Sequence, residues 1–217
     1  MAGIIGVDEV GRGSWAGPVV AGACFFEAKN KRNLGIITRL NDSKKLSKKI
    51  RELLFDELIE LEKTGKCILG IGIKSNEIVD AIGIKKANKL AMEDAIKQVL
   101  SKIKNSQKIE LKIDGNDNYV FDGIDLVSTF IIKGDCKIDE IKAASIFAKV
   151  TRDRMMQEYS KEFSGYLFEN NVGYGTQKHM QGLKKFGICS IHRLSYAPIK
   201  KIFDSKPKKI RIKKITL

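Results

Sequence analysis

A chain of 217 residues, 43% apolar and 30% charged, is long enough for one domain with a sizeable core and ordinary enough in composition to be globular. Lys and Arg number 40 against 26 Asp and Glu, a formal charge of +14, which points to a polyanionic partner, most simply nucleic acid. No apolar run is long enough to span a membrane and no basic–apolar–small leader opens the chain; the widely spread Cys24, Cys67, Cys136 and Cys189 read as free, mostly buried thiols of a cytoplasmic protein without a structural zinc site.

Ile4, Ile5 and Val7 form the apolar run of a buried strand that ends in Asp8 and Glu9, followed by Gly11-Arg12-Gly13-Ser14. Successive side chains on a strand alternate faces, so the two carboxylates share a face only if the strand breaks there, and the glycines at 11 and 13 supply the break. Two carboxylates beside bare backbone N–H groups suit a divalent metal next to a phosphate. A second strand is predicted from Val19 to Phe26, after the Gly17-Pro18 turn, and residues 28–41 read as a polar loop.

Asn41-Asp42-Ser43-Lys44-Lys45-Leu46-Ser47 leads into a helix with Leu46, Ile50, Leu53, Leu54, Leu58 and Leu61 as its apolar stripe and Ser43 or Ser47 as N-cap. Lys44 and Lys45 thus stand at a helix entrance, a good corner for a phosphate. A third strand follows at residues 67–73. A helix is expected over residues 75–103, broken near Gly83, with Ala87, Ala91, Ala95 and Val99 inward and Met92 as core filler.

The alternation of Ile109, Leu111 and Ile113 marks a strand that puts Asp114 on the opposite face at its end. A further strand over residues 126–132 precedes Lys133-Gly134-Asp135, and a helix over residues 138–159 carries the small residues Ala143, Ala144, Ser145 and Ala148. Gly173-Tyr174-Gly175-Thr176 opens another helix, with Thr176 as N-cap, Met180, Leu183 and Phe186 inward and Gly187 at its end. Between its glycines the Tyr174 ring is exposed and suited to stacking on a sugar or base; His179 and His192 read as structural. The expected organisation is one domain over residues 1–198 and a basic tail over residues 199–217, which adds nonspecific attraction for phosphates.

Strands alternating with helices imply an α/β fold with a mixed or parallel sheet, in which ligands collect at strand ends. Asp8, Glu9, Asp114 and Asp135 all lie at apparent strand ends. Four converging acids in a basic protein call for a cation among them, and an all-oxygen donor set favours Mg²⁺ or Mn²⁺ over zinc. Two such ions about 4 Å apart suit phosphodiester cleavage, while the surrounding Lys and Arg would hold a nucleic-acid backbone.

The motifs Val7-Asp8-Glu9-Val10-Gly11-Arg12-Gly13-Ser14-Trp15-Ala16-Gly17-Pro18-Val19-Val20, Asp42-Ser43-Lys44-Lys45-Leu46-Ser47, Ile113-Asp114-Gly115-Asn116, Lys133-Gly134-Asp135, Ala143-Ala144-Ser145-Ile146-Phe147-Ala148-Lys149-Val150-Thr151-Arg152-Asp153 and Gly173-Tyr174-Gly175-Thr176 occur in this order along the chain. Together they resemble the bacterial ribonuclease HII family. The resemblance implies an RNase H-like fold, a mixed central sheet flanked by helices with a helical C-terminal part, as the catalytic domain. It implies metal-dependent endonucleolytic cleavage of the RNA strand of RNA–DNA hybrids, and incision 5′ of single ribonucleotides in duplex DNA, leaving 5′-phosphate and 3′-hydroxyl ends. Asp8, Glu9, Asp114 and Asp135 match the family's metal-binding and catalytic acids. Gly11, Arg12 and Gly13 match the loop that reads the ribose 2′-hydroxyl, the group that separates RNA from DNA. Tyr174 matches the tyrosine that stacks at the RNA–DNA junction, and Lys44 and Ser145 match contacts to the substrate backbone. A monomer is the expected state.

Two departures stand out: Asn171-Val172 replaces the usual His-Lys before the Gly-Tyr-Gly-Thr motif, and Lys142 replaces an alanine. Two other classes compete. A noncatalytic duplex binder gains nothing from four acids facing phosphate, and other RNase H-like nucleases lack the paired Gly-Arg-Gly and Gly-Tyr-Gly motifs.

Overall fold

The computed structural model describes residues 3–27, 31, 33–104 and 108–204. Its centre is a five-stranded sheet of order β3-β2-β1-β4-β5, built from β1 (Gly3–Val10), β2 (Val19–Phe26), β3 (Cys67–Lys74), β4 (Ile109–Asp114) and β5 (Ser128–Ile131). β1, β2 and β3 form an antiparallel meander, and β4 and β5 run parallel to β1. The helices are α1 (Lys48–Lys63), α2 (Asn76–Ile82), α3 (Ile84–Lys102), α4 (Asp139–Glu162), α5 (Phe168–Asn171), α6 (Gln177–Phe186) and α7 (Ala197–Asp204).

The strand period of two sorts the sheet residues between two cores. Ile5, Val7, Ala21, Ala23, Phe25, Leu111 and Ile113 pack on α3 through Ala91, Met92, Ala95, Ile96 and Val99. Cys24, Phe26, Cys67 and Leu69 face α4 and α1 through Ala143, Ala144, Ile146, Leu54 and Leu58. The small side chains on the helices let them lie almost on the strands. A Cβ on Gly6 would stand 2.2 Å from the Glu140 carbonyl carbon, and one on Gly72 only 1.9 Å from the Ala91 oxygen. Close seating at Gly6 brings α4 against β1 two residues before Asp8. The C-terminal helices gather around Phe168, Leu183, Ile191 and Ile199, which pack with Met156 of α4 and Ala16 of the β1–β2 loop.

The expected mixed sheet, the break at Gly83, the N-caps at Ser47 and Thr176 and the stop at Gly187 are all present. Several expectations need correction. β1 does not break at the acids: it pairs with β2 through Val10, so Asp8 and Glu9 lie within it on opposite faces, and the turn follows them. β5 is shorter than the seven residues expected. Residues 28–41 are more than a polar loop, because Leu34, Ile36 and Leu40 are buried. On α1 the inward residues are Leu54, Phe55 and Leu58, while Ile50 and Leu53 face out. On α6 Phe186 is exposed and His179, Gly182 and Leu183 take the inside. Of the cysteines, which are all free, Cys24 and Cys67 are buried and Cys136 is exposed. Residues 200–204 belong to α7, which Ile199 anchors in the core; residues 205–217 lie outside the described residues. Among the described residues no helix is long and apolar enough to cross a membrane.

Candidate active site

The parallel ladder between β1 and β4 pairs Val7 with Ile113. The next residue on each strand is an aspartate, so Asp8 and Asp114 stand side by side, their backbones about 4.8 Å apart by strand spacing. Ile113 faces the α3 core, so alternation turns Asp114 to the α4 side, together with Asp8. Beyond β5 the chain enters a 3-10 turn, Gly134–Cys136, with Lys133 left-handed before it. The amides of Gly134 and Asp135 donate to Asp114 Oδ1 at 2.6 and 3.3 Å. That clamp carries the buried Asp135 to the end of the strands bearing Asp8 and Asp114. Glu9 leaves β1 on the other face but lines the same cleft at the strand end, a hollow of about 380 Å³ walled also by Asp8, Ser43, Lys44, Ser145 and Tyr174.

The electrostatics bind the acids into one unit. Burial pushes the Asp8 carboxyl well above the usual range, and the charges of Glu9 and Asp114 add to the push, against the nearby Ser145 hydroxyl, which favours the ionised form. Burial also lifts Glu9, partly offset by the Arg12 guanidinium. Asp114 is raised by burial and by Asp135, against the two amides that hold it. Lys44 Nζ lies 3.6 Å from Asp135 Oδ2. Burial works to lower the Lys44 ammonium, yet Asp135, Asp8, Asp42 and Asp114 together lift it. Buried carboxylates that repel one another favour a bound cation, and a donor set of carboxylate oxygens alone suits Mg²⁺ or Mn²⁺.

Sequence reasoning overlooked several residues here. Asp117 accepts from Arg12 Nη1 at 2.8 Å, and Glu9 accepts from the same atom at 3.3 Å, so Asp117 shares the guanidinium with Glu9. Asp42, Asp135 and Cys136 have their ligand atoms within 4.8 Å of one another, the one group of three His, Cys, Asp or Glu side chains that close among the described residues. No triple of the four acids is that tight. Ser43 joins Ser145 through hydroxyls 2.9 Å apart. Asn171, one of the departures from the family pattern, is buried and structural: its Nδ2 donates to the Tyr166 carbonyl at 2.6 Å and its Oδ1 accepts from the Gly173 amide at 2.8 Å. Lys142, the other, pairs with Asp139 at 3.0 Å.

Tyr174 projects into this region, the ring close to Gly13, where an added Cβ would stand 3.9 Å from Tyr174 Cε1 and meet nothing else within 4 Å. A chain of buried rings holds its backbone. The Cys189 amide donates to His192 Nδ1 at 2.9 Å, His192 Nε2 lies 3.0 Å from His179 Nε2, and His179 Nδ1 lies 3.0 Å from the Tyr174 carbonyl. These partners fix the neutral tautomers: His192 carries its proton on Nε2 and donates to His179, which donates from Nδ1 to Tyr174. A second proton on either ring would set two N–H groups against each other. Burial accordingly lowers both histidines, His192 to about 3 from 6.5. The flanking Cys189 and Tyr166 stay protonated, since burial lifts each to about 12.

A base depressed in the folded state is protonated first in the unfolded chain, so its contribution to stability is complete above about pH 6.5 and is lost as pH falls below it. For His192 the loss approaches about 1.4 kcal/mol per pH unit. The expected result is that the His192 contribution, read as the melting temperature of wild type minus that of His192→Gln, is nearly flat from pH 8 to 7 and falls by roughly 3–6 °C between pH 6.5 and 5. Calorimetry of wild type and His192→Gln checks this. The substitution lowers the plateau and flattens the acid limb; an unchanged acid limb would contradict the tautomer chain.

Comparison with known proteins adds a lineage to this geometry. The family model for ribonuclease HII matches residues 5–199. The chain is 43% identical over 209 residues to ribonuclease HII of Listeria monocytogenes serotype 4b (strain F2365), covering 93% of this chain and 72% of that protein. Among solved structures it superposes on ribonuclease H2 from Pyrococcus horikoshii OT3 with a TM-score of 0.75 at 24% identity, covering 93% of this chain and 97% of the other. It also superposes on Bst-RNase HIII in complex with Mn²⁺ with a TM-score of 0.71 at 16% identity, covering 94% and 70% respectively. At those identities the two structures speak for the fold alone, which is RNase H-like.

Proposed function

The chain belongs to the ribonuclease HII family and is a ribonuclease H, and from that premise we propose that it cuts the RNA strand of RNA–DNA hybrids and incises duplex DNA 5′ of single embedded ribonucleotides. The observation that carries this reading is one cleft where Asp8, Glu9, Lys44, Ser145 and Tyr174 meet, with Asp114 and Asp135 coupled to Asp8 and Lys44 beside it. The four acids are the groups that would hold divalent ions, Mg²⁺ or Mn²⁺. Such ions, when bound, supply the charge neutralisation and Lewis acidity that phosphodiester hydrolysis demands.

The chain's own groups supply positioning and selectivity. Ser145 steadies the Asp8 carboxylate through its hydroxyl, and Lys44 offers an ammonium to a neighbouring phosphate. The Gly11-Arg12-Gly13 turn presents backbone groups to the ribose 2′-hydroxyl. Tyr174 stacks on the sugar beside the junction, as its exposed ring suits it to do. In the reaction the oxygen of water joins phosphorus while the P–O3′ bond breaks, so the DNA on the 5′ side keeps a 3′-hydroxyl and the ribonucleotide keeps a 5′-phosphate. Every group named comes from one chain, so the site needs no second copy to be complete, and the charge of +14 favours a polyanionic duplex.

Cleavage of a labelled DNA duplex containing one ribonucleotide tests the reading across Mg²⁺, Mn²⁺ and EDTA. A single incision 5′ of the ribonucleotide that EDTA abolishes is the expected outcome; no incision with either metal would refute it. Tyr174→Ala should lower the rate on that substrate about 10–100-fold, since base or sugar stacking on an aromatic ring contributes about 1–3 kcal/mol. Its affinity for an all-DNA duplex should stay within twofold. Equal losses on both duplexes would remove Tyr174 from junction reading.

A further inference from the structure

Two arginines, Arg152 and Arg193, are fully buried, and neither makes an ion pair among the described residues. An unpaired charge inside a protein normally lowers stability, so what these groups bond is informative. Arg193 donates from Nε to the Gly17 carbonyl at 3.0 Å and from Nη1 to the Arg12 carbonyl at 3.0 Å and to Tyr196 Oη at 3.0 Å. The Tyr196 hydroxyl donates in turn to that same Arg12 carbonyl. Arg193 Nη2 is buried with no acceptor among the described residues, a costly state for a donor. The arginine is itself held in place. Its amide donates to the Trp15 carbonyl at 2.8 Å, and Asp80 of α2 accepts from the amides of Leu194 and Ser195 at 2.8 and 2.9 Å.

The consequence falls on the Gly11-Arg12-Gly13 turn. In a trans peptide the carbonyl of one residue and the N–H of the next point in opposite directions. Arg193 and Tyr196 draw the Arg12 carbonyl inward, so the Gly13 N–H points outward. Ser14 does the same one residue earlier, its hydroxyl donating to the Gly11 carbonyl at 2.8 Å, which turns the Arg12 N–H outward. Among the described residues neither of those two N–H groups has an acceptor. The turn is a pair of outward donors held by inward carbonyls, next to Tyr174.

We propose that Arg193, acting with Tyr196, is a positioning residue that fixes the outward Arg12 and Gly13 amides so that they distinguish a ribose from a deoxyribose. This rests on the reading that the turn contacts the 2′-hydroxyl. The fold retains an unpaired buried guanidinium because no apolar side chain could tie that carbonyl down. Tyr196, which stacks against Arg193 with its ring 5.2 Å from the guanidinium carbon, shares the task.

The test uses full-length wild type, Tyr196→Phe, Arg193→Lys and Arg193→Gln. Affinities for two duplexes, one with a single ribonucleotide and one all DNA, are measured in EDTA, and amide hydrogen exchange is followed over residues 11–14. In Tyr196→Phe, which preserves the ring, the preference for the ribonucleotide duplex should fall about 3–10-fold, the scale of one hydrogen bond. The affinity for all-DNA duplex should stay within twofold, and exchange in the turn should quicken while the interior of β1 is unchanged. Arg193→Gln should lose the preference more completely than Arg193→Lys. If either arginine variant fails to fold, Tyr196→Phe decides alone. A preference that survives Tyr196→Phe, or equal loss on both duplexes, overturns the proposal. A wild type with no preference overturns the functional reading as well, and exchange in the turn then still reports whether Tyr196 holds it.

Discussion

Replacing Asp135 or Asp8 with asparagine should abolish cleavage, and Asp8→Asn should leave the protein at least as stable as wild type. Asp8 is buried, on a strand adjacent to Asp114 and against Glu9, and burial and both charges act against its ionised form. Removing that carboxylate deletes repulsion that the fold alone does not relieve. On the proposed reading, a group that harms the folded state yet sits at the cleft is kept for chemistry, the usual trade between stability and activity. Loss of about 4 kcal/mol of stabilisation at a charged reaction centre lowers the rate about a thousandfold, and that is the expected fall in kcat for Asp8→Asn on a hybrid substrate. Its melting temperature in EDTA should equal or exceed that of wild type by about 2–4 °C, for roughly 1 kcal/mol of relieved repulsion. Wild type should gain stability from millimolar Mn²⁺ by mass action, and the variant should gain less. The decisive measurements are initial rates on a hybrid and thermal melts with and without metal. Wild-type cleavage by either variant would remove the acids from the reaction.

Much of that centre was legible in the sequence, for a definite reason. Asp8, Asp114 and Asp135 each follow an apolar strand or turn, and the alternation of Ile109, Leu111 and Ile113 dictates the face on which Asp114 emerges. Caps were equally readable, because Ser47 and Thr176 bond to amides three residues away. What failed was local inference about apolar residues whose partners are remote. Leu53 fits the helical stripe in spacing, but it stands about 100° round from Leu54, and α1 buries the side carrying Leu54, Phe55 and Leu58. The acids at 8 and 9 invited a strand break that the ladder to β2 does not allow. Arg193 left no sequence signal at all, and Arg152 stood only as a member of the family motif with no role of its own, since a basic residue in a chain with 40 of them looks like surface. Arg152 bonds a residue 134 positions away and Arg193 one 181 positions away, and no periodicity reaches that far.

Arg152 should be the most structurally sensitive of these positions. It emerges from α4 beneath the β1–β2 loop, and its guanidinium donates to the Pro18 carbonyl at 2.9 Å, to the Val172 carbonyl at 2.8 Å, to Ser14 Oγ at 2.8 Å and to the Ala16 carbonyl at 3.1 Å. Burial pulls it down to about 10, which still leaves it charged at neutral pH. One of its contacts holds backbone that is not relaxed by itself. Val172, a β-branched residue, is held at φ 43°, a left-handed conformation such residues resist. Arg152→Met preserves most of the volume but strands four acceptors at once, three of them in fully buried bonds. At about 1–3 kcal/mol for each unsatisfied group, a loss of at least 4 kcal/mol is expected, which lowers the melting temperature by roughly 8–16 °C. Arg152→Lys can reach only one or two of the four and should lie between. The guanidinium also lies 5.8 Å from the centre of the Tyr174 ring, so at temperatures where Arg152→Met remains folded its rate on an embedded ribonucleotide should fall by about the factor seen for Tyr174→Ala. Thermal melts and incision rates on the same preparations check both effects. A variant that melts within 2 °C of wild type would mean that water or a shifted backbone satisfies those acceptors, and that the turn does not depend on the arginine beneath it.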